Sequence, residues 1–222
     1  MKMKIFCTSI ACSVVLLLAT PLLGGQDLSK YRLFSLGASL ATVLKHTDQK
    51  LADVKVTHSR PGLMQEFTWW PPSISGTPYH PDTVEQMRFF FYDGELYKIS
   101  VAYDRASTQG LSAEDLVKSI SARYGAAKYV ALAIDSSTEE NQKPVAWWED
   151  SEYSVHLSRS FFTDAFELVI CSKRVNGVAE LAIADALKLD KQEAPQREAE
   201  RKKKEMNDLE VTRQKNQNSF RP

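Results

Sequence analysis

The chain has 222 residues, of which 43% are hydrophobic and 25% are charged, a composition typical of globular proteins. Its 28 basic residues are balanced by 28 acidic ones, so it lacks the excess of positive charge that marks nucleic-acid-binding proteins. Three cysteines are too few for a disulfide-rich scaffold or for a zinc site built from four cysteines. Composition therefore favours an ordinary folded domain with no nucleic-acid partner.

The amino-terminal 25 residues have the layout of a secretory signal peptide. Lys2 and Lys4 precede an uncharged, largely apolar run over residues 5–26, which Pro21 interrupts near its end. Such a segment enters the membrane while the lysines stay on the cytoplasmic side. We therefore predict export to the periplasm or the extracellular space, with residues 1–25 removed and no membrane span left. An uncleaved membrane anchor is the alternative, because about 20 apolar residues can span a bilayer.

Cleavage at this position leaves a single cysteine. Cys7 and Cys12 lie within the predicted signal peptide, so only Cys171 remains and no intrachain disulfide can form. Cys171 ends the apolar, strand-like run of residues 166–171. We predict a buried cysteine there, with a reactive thiol as the alternative.

Two similar halves follow, covering about residues 33–107 and 108–175. Ser39 precedes a helical pattern of apolar residues in the first half, and Ser112 does so in the second. Asp115 lies three residues after Ser112, which is the spacing of a capping box, and Gly125 is a plausible stop for this second helix.

Strand patterns follow each predicted helix. The clearest is a hairpin, because apolar residues alternate on both sides of an Asp93-Gly94 turn: Met87, Phe89 and Phe91 before it, and Tyr97, Ile99, Val101 and Tyr103 after it. Further strand patterns cover residues 54–56, 64–70, 129–134, 145–148, 153–157 and 166–171. Each half therefore reads as one helix followed by an antiparallel meander.

A Trp-Trp pair recurs at the same place in each half. Trp69 and Trp70 end one strand pattern, and Trp147 and Trp148 end its counterpart. The shared order predicts an internal repeat within a domain that covers residues 30–189. We predict an α+β fold in which two tandem helix–antiparallel-meander repeats share one sheet with helices on one face, followed by a charged C-terminal helical tail.

The carboxyl-terminal region changes composition at about residue 190. Residues 177–189 carry a broad apolar helical face, which predicts a helix docked on the core. Residues 190–222 are dominated by charges, and Pro195 suits the first position of a second helix. We predict a solvated helix that frays from about residue 216, with a partner-binding extension as the alternative.

The sequence FSLGASLATV at residues 34–43, followed by the hairpin at Asp93-Gly94, resembles the opening of a known fold family. It is similar to the tandem helix–meander repeats of the beta-lactamase-inhibitor protein and of the SmpA/OmlA-type outer-membrane-assembly lipoproteins. The resemblance covers residues 33–174 and implies a duplicated α+β scaffold. The whole chain, including its tail at residues 193–201, also resembles a group of exported bacterial proteins, which implies export and no particular activity.

Reactive residues do not form a recognisable catalytic pattern. The histidines at 46, 58, 80 and 156 lack metal-ligand spacing, and no nucleophile elbow, phosphate-binding loop or dinucleotide fingerprint occurs. We therefore predict no catalytic residue, no metal site and no cofactor.

The aromatic residues are the best candidates for a functional surface. Trp69 and Trp70 lead into a proline-rich segment over residues 71–81, which contains Tyr79 and His80. Tryptophan and tyrosine anchor many interfaces, and a stiff loop loses little entropy on binding. We predict a non-catalytic exported binding or assembly module that contacts a protein or a cell-envelope polymer through Trp69, Trp70, Tyr79, His80, Trp147 and Trp148. Alternatively, each Trp-Trp pair splits across the sheet, with one ring in the core.

A secreted hydrolase is the alternative function. Acidic residues such as Glu149 and Glu152 lie in or beside a predicted turn, and two carboxylates can serve as acid and base in glycoside hydrolysis. The sequence leaves the oligomeric state and the identity of the partner open.

Overall fold

The computed structural model describes residues 27–72, 83–129, 142–160 and 163–221. The predicted signal peptide lies outside the described residues, as do Tyr79 and His80 and most of the proline-rich segment. The strands are β1 (Lys30–Tyr31), β2 (Phe34–Ser35), β3 (Lys55–His58), β4 (Met64–Trp69), β5 (Val84–Tyr92), β6 (Glu95–Tyr103), β7 (Lys128–Tyr129), β8 (Gln142–Glu149), β9 (Tyr153–Ser160) and β10 (Phe166–Ser172). The helices are α1 (Leu40–Thr47), α2 (Arg105–Thr108), α3 (Ala113–Tyr124) and α4 (Lys173–Ser219), with one 3-10 turn at Leu51–Asp53.

Two meanders share one antiparallel sheet. Among the described residues, eight strands form it in the order β3-β4-β5-β6-β10-β9-β8-β7. At its centre β6 pairs with β10, with Ser100 opposite Val169. In each half, the strands follow one another in chain order: from the edge to the centre in the first half, and from the edge β7 to the centre β10 in the second half. This arrangement is the one expected if an approximate two-fold axis between β6 and β10 relates the two halves. The predicted α+β fold with two tandem helix–meander repeats is therefore confirmed.

Local sequence signals set the ends of the repeat helices as predicted. The Ser39 hydroxyl accepts a hydrogen bond from the Thr42 amide at 3.2 Å. Ser112 and Asp115 form a reciprocal capping box, in which each side chain accepts from the other residue's amide at 3.2 Å and 2.9 Å respectively. Such caps satisfy amides that the helix itself leaves free. The helix α3 ends at Gly125, whose amide donates to the Ser121 carbonyl at 2.8 Å.

The β5–β6 hairpin turns at Asp93-Gly94, also as predicted. Both residues have left-handed backbones, with φ of 48° and 81°, which a two-residue turn matched to the strand twist requires. A Cβ atom at Gly94 would meet no atom within 4 Å. The glycine is therefore needed for backbone conformation and not for space.

The inner face of the sheet carries the main core. Large side chains from β4, β5, β6, β9 and β10 pack there against Val43 of α1 and against Leu116 and Val117 of α3. The two repeat helices thus lie on the same face. The β1–β2 hairpin adds an unpredicted layer to this core through Leu28, Tyr31, Phe34 and Leu36.

The opposite, outer face is partly covered by the start of α4. A stripe of small or β-branched residues is buried along this helix: Val175, Ala179, Ala182 and Ala186. Val175 and Ala179 pack with Met64 and Tyr97 of the sheet. Small side chains let the helix axis approach the sheet closely, so the docking predicted for residues 177–189 rests on the alanines.

The tail differs from the prediction, because it and the docked segment before it form one continuous helix, α4. It begins at Lys173, capped by Ser172, and passes through Pro195 without a break. Proline removes one backbone donor, but Pro195 is exposed, so water can satisfy the freed carbonyl group. Pro195 is therefore inside a helix and does not begin one.

Candidate binding surface

Two of the four tryptophans pack on the inner core, Trp148 as a buried ring and Trp69 as a half-buried one. Trp148 is only 2% exposed, and its indole donates to the Gly125 carbonyl at 2.9 Å. Trp69 packs edge-on against Phe34, with ring centroids 5.8 Å apart. Both rings serve the inner face, and the buried ring of Trp148 offers no surface to a partner.

The other two tryptophans reach the surface. Trp70 follows β4 and is 61% exposed, and Trp147 is half-buried. Within each pair, one ring therefore packs on the inner core and its neighbour is more exposed. This is the alternative arrangement that the sequence pattern allowed. The inner ring is the first tryptophan of one pair and the second tryptophan of the other.

A row of residues crosses the outer face beyond the reach of the docked α4 cluster. Trp147 lies opposite His156, and His156 lies opposite Val169. Val169 lies opposite Ser100, which in turn lies opposite Arg88. Directly opposed side chains on one face are about 4.5–5.5 Å apart. We call this row, together with Glu167, the open face.

Solvent reaches most of the open face. His156 and Arg88 are exposed, and Trp147 and Val169 are half-buried. Their sequence neighbours Val155 and Leu168 are fully buried in the inner core, because successive side chains of a strand point to opposite faces. The row therefore presents an aromatic ring, an imidazole and an aliphatic side chain side by side.

A paired carboxylate lies beside this row. The Glu167 carboxylate is 3.4 Å from a terminal guanidinium nitrogen of Arg88, and its side chain is 17% exposed. It also accepts a hydrogen bond from the Ser100 hydroxyl. Because two donors already hold the carboxylate, Glu167 contributes a fixed and compensated charge to the surface.

The surroundings of His156 favour the neutral form of its imidazole. Desolvation by its surroundings is the main cause that lowers the pKa of His156 below its usual value, although the residue as a whole is exposed. Glu149 raises this pKa and Lys173 lowers it, as smaller influences. A neutral imidazole next to Trp147 suits contact with a partner better than a charged one, because it is easier to desolvate.

Glu149, proposed above as a hydrolase carboxylate, is held between two lysines. Its oxygens lie 2.8 Å from the Lys128 ammonium group and 2.8 Å from that of Lys173. Hydrogen bonds from these two side chains lower the pKa of Glu149 to about 2. A general acid at neutral pH needs a raised pKa, so the surroundings of Glu149 oppose that role. Glu152 is exposed in the adjacent turn.

The described histidine, cysteine and acidic side chains do not form a metal-binding cluster, and the described cysteine is buried. No group of three or more histidine, cysteine or acidic residues in the described part of the chain is placed to hold a metal ion. Cys171 is buried, as predicted, with its sulfur 3.1 Å from the Ser154 hydroxyl. Burial raises the pKa of the Cys171 thiol, which reduces its reactivity.

None of the described helices has both the length and the hydrophobicity to cross a membrane.

One cavity was not foreseen from the sequence. A pocket of about 310 Å³ lies between α2, α3, the β1–β2 hairpin and the strands β6 and β10. Its walls include Tyr31, Tyr103 and Tyr124, which come from three distant parts of the chain. We call it the α3 pocket. No local motif signals it, because it exists only once the N-terminal hairpin has packed on the second repeat.

Comparisons with known proteins leave the chain without an assigned family: no family model, curated protein or solved structure matches it. The resemblance to the inhibitor and lipoprotein families thus stays a prediction based on its sequence pattern.

Proposed function

We propose that this chain is a non-catalytic, exported binding or assembly module whose partner is a protein or a cell-envelope polymer. The open face is the observation that carries this proposal. It places Trp147 and Arg88, residue types common among interface anchors, on a sheet whose other face supplies the core. The amino-terminal signal pattern supports export.

The acidic groups on and near the open face are already paired, which favours partner binding over catalysis. Glu167 is paired with Arg88 and Ser100, and Glu149 is an ion-paired carboxylate with a lowered pKa. His156, whose lowered pKa favours the neutral imidazole, lies beside Trp147. Together they form a patch that a partner can desolvate, flanked by charges that are already paired. Such a patch with a polar rim has the composition of a protein interface.

The proline-rich segment keeps its proposed role as a second contact. Trp70 is exposed at the point where this segment leaves β4. Tyr79 and His80 are the residues within it that we expect to touch the partner. The module would then engage its partner from both the sheet and the loop.

Cross-linked co-purification from the native envelope, followed by affinity measurement on the captured partner, tests the proposal. We expect Trp147→Ala to weaken binding at least about ten-fold, since central interface aromatics contribute about 2 kcal/mol or more. The free energy of unfolding should change by only about 1 kcal/mol. Tyr79→Ala and Trp70→Ala test the loop separately.

Leu51→Ala is the matched control, because Leu51 is a large exposed apolar residue outside the proposed surface. It should leave affinity unchanged. If Trp147→Ala also leaves affinity unchanged and only Tyr79→Ala weakens binding, the open face is not the contact surface. If the purified chain turns over an envelope polymer, the non-catalytic proposal is overturned.

A further inference from the structure

The α3 pocket has the volume of a small-molecule site. Its volume of about 310 Å³ is at the lower end of the range of about 300–1,000 Å³ that ligand pockets occupy. Leu116 and Leu168 are buried in its wall, and Ile120 is half-buried there. Leu111, which is 44% exposed, also lines the pocket. Four aliphatic side chains therefore form part of the wall, and the exposed Leu111 is one that a ligand can cover.

Three phenol rings complete the wall without adding charge. The Tyr103 and Tyr31 hydroxyls are hydrogen-bonded to each other, and the Tyr124 hydroxyl donates to the Lys30 carbonyl at 2.7 Å. Desolvation raises the pKa of Tyr103 and raises that of Tyr124 to about 12. The raised pKa values keep Tyr103 and Tyr124 neutral at physiological pH, and the hydroxyls of the three rings are already engaged. The deep part of the pocket suits a hydrocarbon chain.

Among the described lining residues, the single charged side chain is Arg123. It is exposed, and its guanidinium carbon lies 5.6 Å from the centre of the Tyr124 ring. Ser107, Thr108 and Ser119 add hydroxyl groups to the lining. These hydroxyls already donate to Asp104 and to the Asp115 carbonyl, so Arg123 is the group left to pair with an anion. An apolar cavity with one exposed cation complements an amphipathic monoanion.

We propose that the α3 pocket binds a medium-chain fatty acid anion, with its alkyl chain between Tyr103, Ile120 and Leu168 and its carboxylate at Arg123. This site is separate from the open face on the other side of the sheet. The inference is thus independent of the protein or polymer partner proposed above.

Calorimetric titration of the purified chain with octanoate and decanoate tests the proposal, with decanol as the uncharged counterpart. Saturable decanoate binding with one site per chain is expected. Arg123→Gln should weaken decanoate binding about three- to five-fold, as loss of a solvent-exposed ion pair does, and leave decanol binding unchanged. Lys118→Gln, a charge-matched change on α3 outside the pocket lining, should leave both unchanged.

Ile120→Trp tests the hydrocarbon part, because the larger ring fills the cavity. It should abolish binding of both decanoate and decanol while a cooperative thermal transition shows that the chain is folded. If this variant does not fold, the Arg123→Gln and Lys118→Gln pair decides alone. Absence of saturable decanoate binding, or equal effects of these two substitutions, overturns the proposal.

Discussion

The two faces of the sheet differ in how much hydrophobic core they carry. The inner face packs large side chains against α1, α3 and the β1–β2 hairpin in one extended cluster. The outer face has a small cluster, in which Met64 and Tyr97 meet Val175 and Ala179 of α4, and next to it the open face. Stability therefore comes mainly from one side of the sheet, and the other side carries the open face to which we assign the proposed recognition role.

The largest expected effect compares the neighbouring residues Trp147 and Trp148. Trp148→Ala should reduce the free energy of unfolding by about 3–5 kcal/mol, because it empties a fully buried site and removes the indole donor to Gly125. Trp147→Ala should reduce it by about 1 kcal/mol or less, since that ring is half-buried on the open face. Urea unfolding followed by circular dichroism measures both. Equal losses would show that the faces do not differ in the way described.

An intermediate effect on stability is expected where α4 docks on the outer face, which tests how much this smaller contact contributes. Ala179 is 0% exposed against the outer face, so Ala179→Leu should overpack the contact and destabilise it by about 1–3 kcal/mol. Faster hydrogen exchange over the first turns of α4, with little change in the inner strands, is the expected result. Ala184→Leu, at an exposed position of the same helix, is the control and should leave exchange rates unaltered.

A smaller effect is expected at the start of α3, on the inner side. Ser112→Ala removes one half of the capping box with Asp115 and should reduce the free energy of unfolding by about 1 kcal/mol. Ser119→Ala on the same helix is the control, because the Ser119 hydroxyl only bonds back to the Asp115 carbonyl of its own helix. A greater loss for Ser119→Ala would contradict the importance of the cap.

The smallest effect concerns acid sensitivity at the end of β8. Lys128 and Lys173 lower the pKa of Glu149 to about 2, so its contribution to stability is present above the unfolded-state pKa and disappears as pH falls towards 2. Glu149→Gln should therefore flatten the loss of stability between about pH 4.5 and pH 2. Thermal melts across this range at low and high salt measure it. An unchanged pH profile would show that the lysine pairs contribute nothing.

Local signals were sufficient for much of the fold. The caps at Ser39 and Ser112 and the turn at Asp93-Gly94 depend on neighbouring residues, so the sequence alone predicts them. The repeat follows from the order of these signals. Pro195 shows the limit of such reasoning, because a proline can lie inside a helix where its exposed position lets water satisfy the freed carbonyl group.

Contacts between distant segments were beyond sequence reasoning. The open face joins Arg88 of β5 to Glu167 of β10, which requires the pairing of the two central strands. The α3 pocket similarly requires Tyr31 to meet Tyr103 and Tyr124. The choice of which tryptophan faces the core depends on strand phase, which a one-residue shift reverses, so the Trp-Trp motif alone left two arrangements open.

Site-specific photo-cross-linking in the native envelope tests most directly whether the open face is the contact surface. A photoreactive residue placed at His156, on the open face, is compared with one placed at Lys45, an exposed position of α1 on the inner side. We predict a discrete cross-linked partner from position 156 and none from position 45. A partner captured only from position 45, or equally from both, would contradict the division between a stabilising face and a recognition face.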